Sequence, residues 1–428
     1  MNIVMVTNTY SPHVGGVARS VDAFSAEYRR RGHRVLVVAP EFPSMPENES
    51  GVARIPAIQN FNGSDFSVVL PVAGLLTEIL DDFQPEIVHS HHPYLLGMTA
   101  LRIARFRELP LVFTHHTLYE QYTHYVPGNS PALQQFAIEL ATHYANLTDQ
   151  VFAPSESIAS LIRERGVRSP VTVVPTGVDF DRFSRGDGKR MRAALGIPGD
   201  AFVAGHVGRL APEKNLSFLA EALAVFLAVH PQAHVLVAGE GPSESLIRSI
   251  FSRAGQSRRL HMAGVLDHDE LIDVYHAMDV FAFASKSETQ GMVLTEAMAA
   301  SVPVVALDAS GVREVVIDKE NGRLLDKEAP DAFARALRWL VDLPEDALAA
   351  VRRSARDTAL AFSMPVTAGK ALACYKTLGE KAYVKRAKEF DQWQRVLNLI
   401  KTEWDIVLSM AGAAGSVLGG ETGNDKEN

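Results

Sequence analysis

The chain has 428 residues, 47% of them hydrophobic, and is long enough to bury the cores of two or three domains. Its 50 acidic residues outnumber its 42 lysines and arginines, and the net charge of −8 argues against a dedicated nucleic-acid-binding protein. The single cysteine, Cys374, excludes an internal disulfide and a zinc finger and fits a reducing compartment.

The first residues, MNIVMVTN, lack the basic segment and the long apolar run of a signal peptide. No apolar stretch approaches the roughly 18 residues that a membrane-spanning helix needs. We therefore expect a cytoplasmic protein whose contact with a membrane, if any, is peripheral and on the inner face of the cytoplasmic membrane.

Short β-branched runs alternate with longer amphipathic segments along the chain. A first series covers 2–6, 34–39, 86–90, 110–114, 150–155 and 171–175. After a stretch rich in Gly, Asp and Arg at 176–195, a second series covers 201–208, 234–241, 259–264, 279–285 and 303–307. Such runs are typical of parallel strands covered by helices on both faces. The sequence therefore predicts an α/β protein with two doubly wound, Rossmann-like domains facing a cleft, at residues 1–185 and 186–360.

The last part of the chain has the periodicity of helices, which we predict at 361–410, followed by a flexible tail at 411–428. An apolar stripe comprises Trp393, Val396, Leu397, Ile400, Trp404, Val407 and Leu408. It predicts a helix that packs across a domain. Docking on a lipid surface is the alternative, which nearby cations favour: Lys381, Lys385, Arg386, Lys388, Arg395 and Lys401.

Two glycine-containing loops follow predicted strands, YSPHVGGVARS at 10–20 and SETQGMVL at 287–294. Ligands of open parallel sheets bind beyond the carboxyl ends of the strands, where loops and helix starts supply hydrogen-bond donors. In the second loop, the amides at Gly291 and the next two residues begin a helix and favour a phosphate. Both loops therefore predict anion binding.

Two glutamates flank this helix start, Glu288 before it and Glu296 within its second turn. Their carboxylates can accept hydrogen bonds from sugar hydroxyls at two points of a long ligand. On spacing alone, an ordinary helix with surface glutamates is an equal alternative.

The segment SETQGMVLTEAMAASVPVVALDASGVREVV resembles the donor-binding segment of the family 4 glycosyltransferases, retaining enzymes of GT-B fold. That family's signature is a glutamate, seven residues and a second glutamate, which Glu288 and Glu296 match. In the expected order, TYSPHVGGVARSV resembles the family's glycine loop, VFAPSESIASLIRERGV and VTVVPTGVDFDRF its interdomain region, and GHVGRLAPEKNL its basic diphosphate loop. With VLVAGEGPSESLI, the resemblance covers most of residues 1–320.

The resemblance implies a role for each matching position. Glu288 would contact hydroxyls of the donor sugar, and Glu296 would hold the nucleotide ribose. The diphosphate would be bound by two cations and by glycine-loop and helix-start backbone: Arg209, Lys214, Gly15, Gly16, Gln290, Gly291, Met292 and Val293. Fixed cations and amides stabilise charge on a departing diphosphate, so we expect no metal and no cofactor. Without the motif, both cations would be interpreted as surface ion pairs.

Five histidines end two predicted strands: His89, His91, His92, His115 and His116. Imidazole is a frequent zinc ligand, but neither an HExxH helix nor a nearby cysteine pair accompanies them. The family has one histidine in a Thr-x-His pattern after the second of these strands, and His116 matches it. The resemblance implies that His116 orients the reacting groups, and His115 is interpreted as packing or support.

Two short motifs point weakly elsewhere. DFD at 179–181 imitates a metal-binding Asp-x-Asp motif but lies in the predicted linker. AGEGPSE at 238–244 lacks the third glycine of a dinucleotide fingerprint. A nucleotide-binding oxidoreductase, or a Rossmann-like module without activity, therefore stays a distant alternative.

The stretch THHTLYEQYTHYVP resembles that of bacterial enzymes that glucosylate diacylglycerol from UDP-glucose, which implies acceptor-side roles for Tyr119, Tyr122, His124 and Tyr125. A basic cluster, Arg102, Arg105 and Arg107, would contact anionic lipid head groups or form a solvated helix face. We predict retaining transfer of glucose from UDP-glucose to a membrane lipid such as diacylglycerol. The alternative is another nucleotide sugar, such as GDP-mannose, with a polysaccharide or soluble acceptor.

Overall fold

The computed structural model describes residues 1–13, 15–46, 49–58, 68–69, 75–121, 130–286 and 288–388. The chain divides into two units. The N-terminal unit comprises Met1–Thr176 and the chain from Thr367 onward, and the C-terminal unit comprises Gly177–Val366. Both are parallel-sheet, Rossmann-like domains.

The N-terminal unit contains a parallel sheet with the strand order β3-β2-β1-β6-β7-β8-β9. Its strands are β1 (Asn2–Val6), β2 (Arg34–Pro40), β3 (Val52–Ile55), β6 (Ile87–Ser90), β7 (Leu111–Thr114), β8 (Gln150–Ala153) and β9 (Val171–Val173), beside a small antiparallel pair, β4 (Ala57–Ile58) and β5 (Val68–Val69). Its helices are α1 (Gly16–Arg30), α2 (Leu75–Phe83), α3 (Leu96–Phe106), α4 (Pro131–Asn146) and α5 (Glu156–Glu164), with α14 (Met364–Lys388), which enters it from Thr367.

The C-terminal unit contains a second parallel sheet, in the order β12-β11-β10-β13-β14-β15. Its strands are β10 (Phe202–Val207), β11 (Ala233–Ala238), β12 (Leu260–Gly264), β13 (Val280–Phe283), β14 (Val304–Leu307) and β15 (Gly322–Leu325). Its helices are α6 (Phe180–Phe183), α7 (Gly188–Ala194), α8 (Leu216–Val229), α9 (Glu244–Arg253), α10 (His268–His276), α11 (Met292–Ala299), α12 (Pro330–Val341) and α13 (Glu345–Ala361).

The central strands of both sheets are apolar because helices cover both of their faces. Residues Ile3–Val6 of β1 and Val280–Phe283 of β13 are at most 2% exposed. Such strands read as continuous hydrophobic runs. For this reason each of the eleven predicted strands is present, and the predicted fold class is confirmed.

Each sheet has a topological switch point, where consecutive connections leave in opposite directions. In the N-terminal unit it lies between β1 and β6, and in the C-terminal unit between β10 and β13. Loops beside such a point leave a crevice at the carboxyl ends of the strands, where ligands of open α/β sheets bind. The predicted site residues follow these strands or their neighbour β7.

The chain crosses from one unit to the other at 176/177 and returns at 366/367, whereas the sequence predicts boundaries at 185/186 and 360/361. The apolar stripe from Trp393 to Leu408 lies outside the described residues, as does the tail at 411–428. Among the helices that the structure describes, none combines the length and the apolar character required to cross a bilayer.

Candidate functional site

The C-terminal unit brings Lys214 and Glu288 together at its switch point. Lys214 follows β10, and Glu288 follows β13. Lys214 Nζ donates to Glu288 Oε1 at 2.5 Å, and the two side chains are only 20% and 15% exposed. A fixed cation therefore lies beside a carboxylate that can accept hydrogen bonds from hydroxyl groups.

The neighbouring residue Asn215 holds the turn that carries Lys214 at the end of β13. Lys214 ends a short 3-10 turn, Pro212–Lys214, and Asn215 then adopts a left-handed conformation with φ 56°. Asparagine tolerates this conformation better than most residues. The side-chain Nδ2 of Asn215 donates to the carbonyl of Ala284 at 3.3 Å. The second predicted cation, Arg209, pairs with Glu213, four residues later in the chain, and its side chain stays 51% exposed.

The helix start at Gly291 has the features that the sequence predicts for a phosphate site. Gly291 has φ 71° and ψ 57°, and as the N-cap residue of α11 it has no side chain with which to cap the helix. Because the first amides of a helix have no carbonyl partner one turn earlier, they favour a negatively charged group. Gly311, which sequence reasoning missed, supports this loop. It has φ 74°, and a Cβ atom there would lie 2.6 Å from the backbone nitrogen of Gln290.

Glu296 is buried, at 3% exposed, which makes the surface alternative for this residue wrong. Its Oε2 accepts a hydrogen bond of 2.7 Å from the hydroxyl of Tyr275, which is fully buried on α10. A buried carboxylate needs such a partner because desolvation disfavours its charge. Tyr275 therefore fixes the orientation of Glu296, and no sequence pattern distinguishes it from an ordinary core aromatic residue.

The two weak motifs have structural explanations. A Cβ atom at Gly239 would lie 2.0 Å from the carbonyl oxygen of Gly208, and one at Gly241 would lie 2.5 Å from that of Leu210. These glycines let the loop after β11 pack on the predicted diphosphate loop. Asp179 of the DFD motif is the N-cap of α6 and accepts from the amide of Arg182.

His206 on β10 lies beneath the Lys214–Glu288 pair, and sequence reasoning missed it as well. It is 1% exposed, and its Nδ1 lies 3.1 Å from the carbonyl oxygen of Ala282. Burial lowers the pKa of His206 to about 4. It is therefore a neutral imidazole at physiological pH.

In the N-terminal unit, the predicted histidines collect at the ends of β6 and β7. His91 Nδ1 and His116 Nε2 are 2.8 Å apart, and their rings are stacked. Burial holds the pKa of both imidazoles well below the ordinary value. His115 lies buried against Phe113 and Tyr119. Among the residues with described side chains, no group of His, Cys, Asp or Glu is arranged to hold a metal ion.

Asn8 joins the loops on the two sides of the N-terminal switch point. Its backbone amide donates to His92 Nδ1 at 3.1 Å. Its side chain donates to the carbonyl of Tyr94 and accepts from the backbone amide of Leu96, both at 3.1 Å. Burial lowers the pKa of His92 to about 3. The loop after β6 is therefore fixed by polar contacts to neutral groups.

The predicted glycines and aromatic residues of this unit are only partly described. Gly15 precedes α1 and Gly16 begins it. A Cβ atom at Gly16 would meet nothing within 4 Å, so packing among the described residues does not require glycine there. Tyr119 contacts Tyr94 and His115 through its ring. The remaining acceptor-side residues, Tyr122, His124 and Tyr125, lie outside the described residues.

The basic cluster on α3 takes part in contacts between helices. Arg105 donates to the carbonyl of Leu147 at 2.8 Å, and Arg107 donates to Asp81 on α2 at 2.7 Å. The side chain of Arg107 is 16% exposed. These two guanidinium groups therefore link α3 to its neighbours within the unit.

Comparison with known proteins identifies the family. The model for Glycosyltransferase Family 4 matches residues 14–182, and the model for Glycosyl transferases group 1 matches residues 187–357. Alpha-monoglucosyldiacylglycerol synthase of Streptococcus pneumoniae is 28% identical over 81% of this chain and 81% of that protein. GDP-mannose-dependent alpha-mannosyltransferase of Mycolicibacterium smegmatis is 30% identical over 88% of this chain and 98% of that protein.

Solved structures show the same fold. The crystal structure of Anabaena Alr3699/HepE in complex with UDP has a TM-score of 0.69, is 20% identical, and covers 88% of this chain and 100% of its own. Both matched models describe glycosyltransferases, and the Mycolicibacterium relative spans nearly its whole length here. The chain therefore belongs to the family 4 glycosyltransferases and is a nucleotide-sugar-dependent hexosyltransferase of GT-B fold.

Proposed function

We propose that the protein transfers glucose from UDP-glucose to a hydroxyl group of a membrane lipid such as diacylglycerol, with retention of configuration at the anomeric carbon. The mostly buried Lys214–Glu288 pair at the C-terminal switch point carries the donor half of this proposal. The similarity to the pneumococcal diacylglycerol enzyme supports the sugar and the acceptor.

Lys214, Arg209 and the first amides of α11 would bind the diphosphate. Their positive charge stabilises the charge that develops on the leaving UDP, and a preorganised group of this kind is worth more in a partly buried site than in water. We infer that no metal ion is needed for this step. Glu288 would accept hydrogen bonds from the glucose hydroxyls, and Glu296, oriented by Tyr275, would hold the ribose.

The transfer itself would be a front-face substitution. The bond from the anomeric carbon to the phosphate oxygen breaks, and a bond from that carbon to the acceptor oxygen forms on the same face. The acceptor proton passes to the leaving phosphate oxygen, so the products are a glucosyl lipid and UDP. In this scheme His116 orients the reacting groups and is not itself the nucleophile.

The charge pattern of the N-terminal unit supports an uncharged acceptor. The segments that follow its strands contain neither lysine nor arginine: 7–15, 41–51, 56–67, 70–74, 91–95 and 115–130. Arginines of other elements contact these segments, and among them Arg54 is paired with Glu49 and Arg165 with Glu120. Burial keeps the pKa of His92 and His115 near 3 and 4, so both are neutral at physiological pH. An anionic acceptor would need a cation to offset its desolvation. The hydroxyl of diacylglycerol does not.

Two neighbouring helices of this unit offer apolar contacts to a membrane. Ile79 on α2 is 39% exposed and Phe106 on α3 is 60% exposed, and the Arg107–Asp81 pair joins the two helices. Exposed apolar side chains at one surface favour insertion into a lipid interface. We expect the protein to float with anionic vesicles and Phe106→Glu to weaken that binding at least about fivefold. Equal flotation of both proteins would contradict this attachment site.

A second donor is favoured by a specific observation. The GDP-mannose-dependent relative is 30% identical and covers more of both chains than the diacylglycerol enzyme does. The candidate is transfer of mannose from GDP-mannose by the same chemistry to a different acceptor.

The deciding experiment incubates the purified full chain with UDP-glucose, other UDP-sugars, ADP-sugars or GDP-mannose. Each donor is tested with and without diacylglycerol in anionic vesicles, and with and without a chelator. We expect release of UDP from UDP-glucose that requires the lipid and survives the chelator. Lipid-independent release would contradict the acceptor, preference for GDP-mannose would contradict the donor, and loss with chelator would contradict metal independence.

A further inference from the structure

The ring of His91 contacts the rings of two other histidines at the ends of β6 and β7. The ring centroid of His91 is 4.2 Å from that of His89 and 5.1 Å from that of His116. His91 is fully buried, and its backbone amide donates to the carbonyl of Val6 at 2.9 Å. The imidazole of His91 therefore has little freedom to move.

Both nitrogens of His89 are already used by other groups. The hydroxyl of Tyr28 donates to that of Tyr375 on α14 at 3.3 Å, and Tyr375 lies 2.6 Å from His89 Nδ1. Since the Tyr375 oxygen accepts from Tyr28, its own proton goes to His89 Nδ1. His89 then carries its proton on Nε2, which donates to Thr114 Oγ1 at 2.7 Å. His89 consequently offers no hydrogen bond to His91.

His91 thus has one polar contact for two ring nitrogens. Its Nδ1 contacts His116 Nε2 at 2.8 Å, whereas its Nε2 is buried and has no hydrogen-bond partner among the described residues. A neutral imidazole has one donor nitrogen and one acceptor nitrogen. Buried N–H groups without a partner are rarer than buried acceptors without one. The proton of His91 is therefore placed on Nδ1, where it is donated to His116.

We propose that His91 is a positioning residue that fixes His116 in the tautomer with its proton on Nδ1. His116 Nε2 accepts from His91, so a neutral His116 presents Nδ1–H as a hydrogen-bond donor and cannot take up a proton at Nε2 while the pair is intact. This deepens the proposed function and rests on the role of His116 in it. A donor at this position orients an oxygen of a reactant, and the leaving phosphate remains the proton acceptor.

The test compares two substitutions of different shape. At the same position in the chain, the side-chain amide of asparagine lies near the place of histidine Nδ1. The side-chain amide of glutamine lies near the place of histidine Nε2. We expect His91→Asn to keep turnover within about threefold of the wild type. His91→Gln, although closer to histidine in volume, should lower kcat at least tenfold with little change in donor KM. If His91 served only to fill space, glutamine would be tolerated at least as well as asparagine, and that result would overturn the proposal.

Two further measurements separate this inference from the proposed function. In a His116→Ala background, His91→Gln should have no further effect on kcat, because His91 acts only through His116. Nitrogen-15 NMR of the imidazoles should show Nδ1 protonated and Nε2 unprotonated in wild-type His116, and the reverse tautomer would overturn the inference. Full turnover by His116→Ala would overturn the role of His116 itself. A loss in His116→Ala with wild-type turnover in His91→Gln would overturn the inference alone.

Discussion

Acid is expected to destabilise the N-terminal unit through its buried histidines. His89, His92 and His115 are 2%, 7% and 3% exposed, and burial lowers their pKa values to about 3, about 3 and about 4. In an unfolded chain, imidazole binds a proton near pH 6.5. Below that pH the unfolded state therefore binds more protons than the folded state. The contribution to stability is complete above about pH 6.5 and is lost as the pH falls toward the folded pKa values.

The size of this loss follows from the proton count. Each such histidine lowers the free energy of unfolding by about 1.4 kcal/mol for every pH unit below about 6.5. At pH 5 the loss is about 2 kcal/mol for each residue and about 6 kcal/mol for all three. This sum is comparable with the roughly 5 to 15 kcal/mol that stabilises a typical domain. In the C-terminal unit, His206 with its pKa of about 4 contributes a loss of about 2 kcal/mol by the same reasoning.

Hydrogen exchange of the full chain, followed by mass spectrometry of peptides from each unit, measures these free energies separately. His92→Asn is the matched variant. The side-chain oxygen of asparagine can accept from the backbone amide of Asn8, as His92 Nδ1 does at 3.1 Å, but asparagine does not titrate. Burial lowers the pKa values of His91 and His116 as well, so the loss for the three residues is a minimum for the unit. Between pH 7.5 and pH 5, we expect the N-terminal unit to lose at least about 6 kcal/mol in the wild type and about 2 kcal/mol less in the variant. A wild-type loss below about 2 kcal/mol, or equal losses in the two proteins, would refute the reasoning.

Three further predictions concern the donor site. Glu288→Gln and Lys214→Ala should each slow donor turnover at least about 100-fold, as loss of a charge-stabilising group does in other active sites. Arg323→Gln is the control, because it breaks an ion pair of 2.7 Å elsewhere in the same unit. If this variant slowed UDP release as much as the first two variants do, the result would contradict the proposed donor site. Tyr275→Phe removes a hydrogen bond to a charged group, worth about 1.5 to 3 kcal/mol, and should raise the donor KM about tenfold with little change in kcat. Initial rates at varied donor concentration separate the two constants, and an unchanged KM would count against the role of Glu296. Gly311→Ala places a methyl group 2.6 Å from a backbone nitrogen of the donor loop, so calorimetry should show weaker UDP binding, and an unchanged Kd would exclude this support.

The parts of the fold that follow from local pattern were predictable. The central strands are apolar runs buried on both faces, and their order along the chain indicated two parallel sheets. Within the two parallel sheets, the strands missed are β3 and β15, and both lie at sheet edges. The short antiparallel pair β4–β5 was missed as well. The sequences of β3 and β15, VARI and GRLL, mix polar and apolar residues because one side of an edge strand is less covered. Nothing local distinguishes them from loops.

The candidate site divides in the same way. Glu288, Glu296 and Lys214 belong to recognisable segments, whereas the residues that orient them make contacts that depend on the tertiary fold. Tyr275 is a core aromatic residue in the sequence, and its hydrogen bond to Glu296 exists only because α10 packs near α11. Tyr375 lies 286 residues from His89, a separation at which no local pattern predicts a hydrogen bond.

The central claim is that UDP-glucose and a membrane diacylglycerol are substrates of a retaining transfer. The most direct measurement is proton NMR of the lipid extracted after incubating the full chain with UDP-glucose and diacylglycerol in anionic vesicles. The account predicts a glucosyl diacylglycerol with the α configuration of the donor, which the Glu288→Gln protein fails to form. A β-linked product, or no glucosyl lipid from folded wild-type protein that turns over another donor, would contradict it.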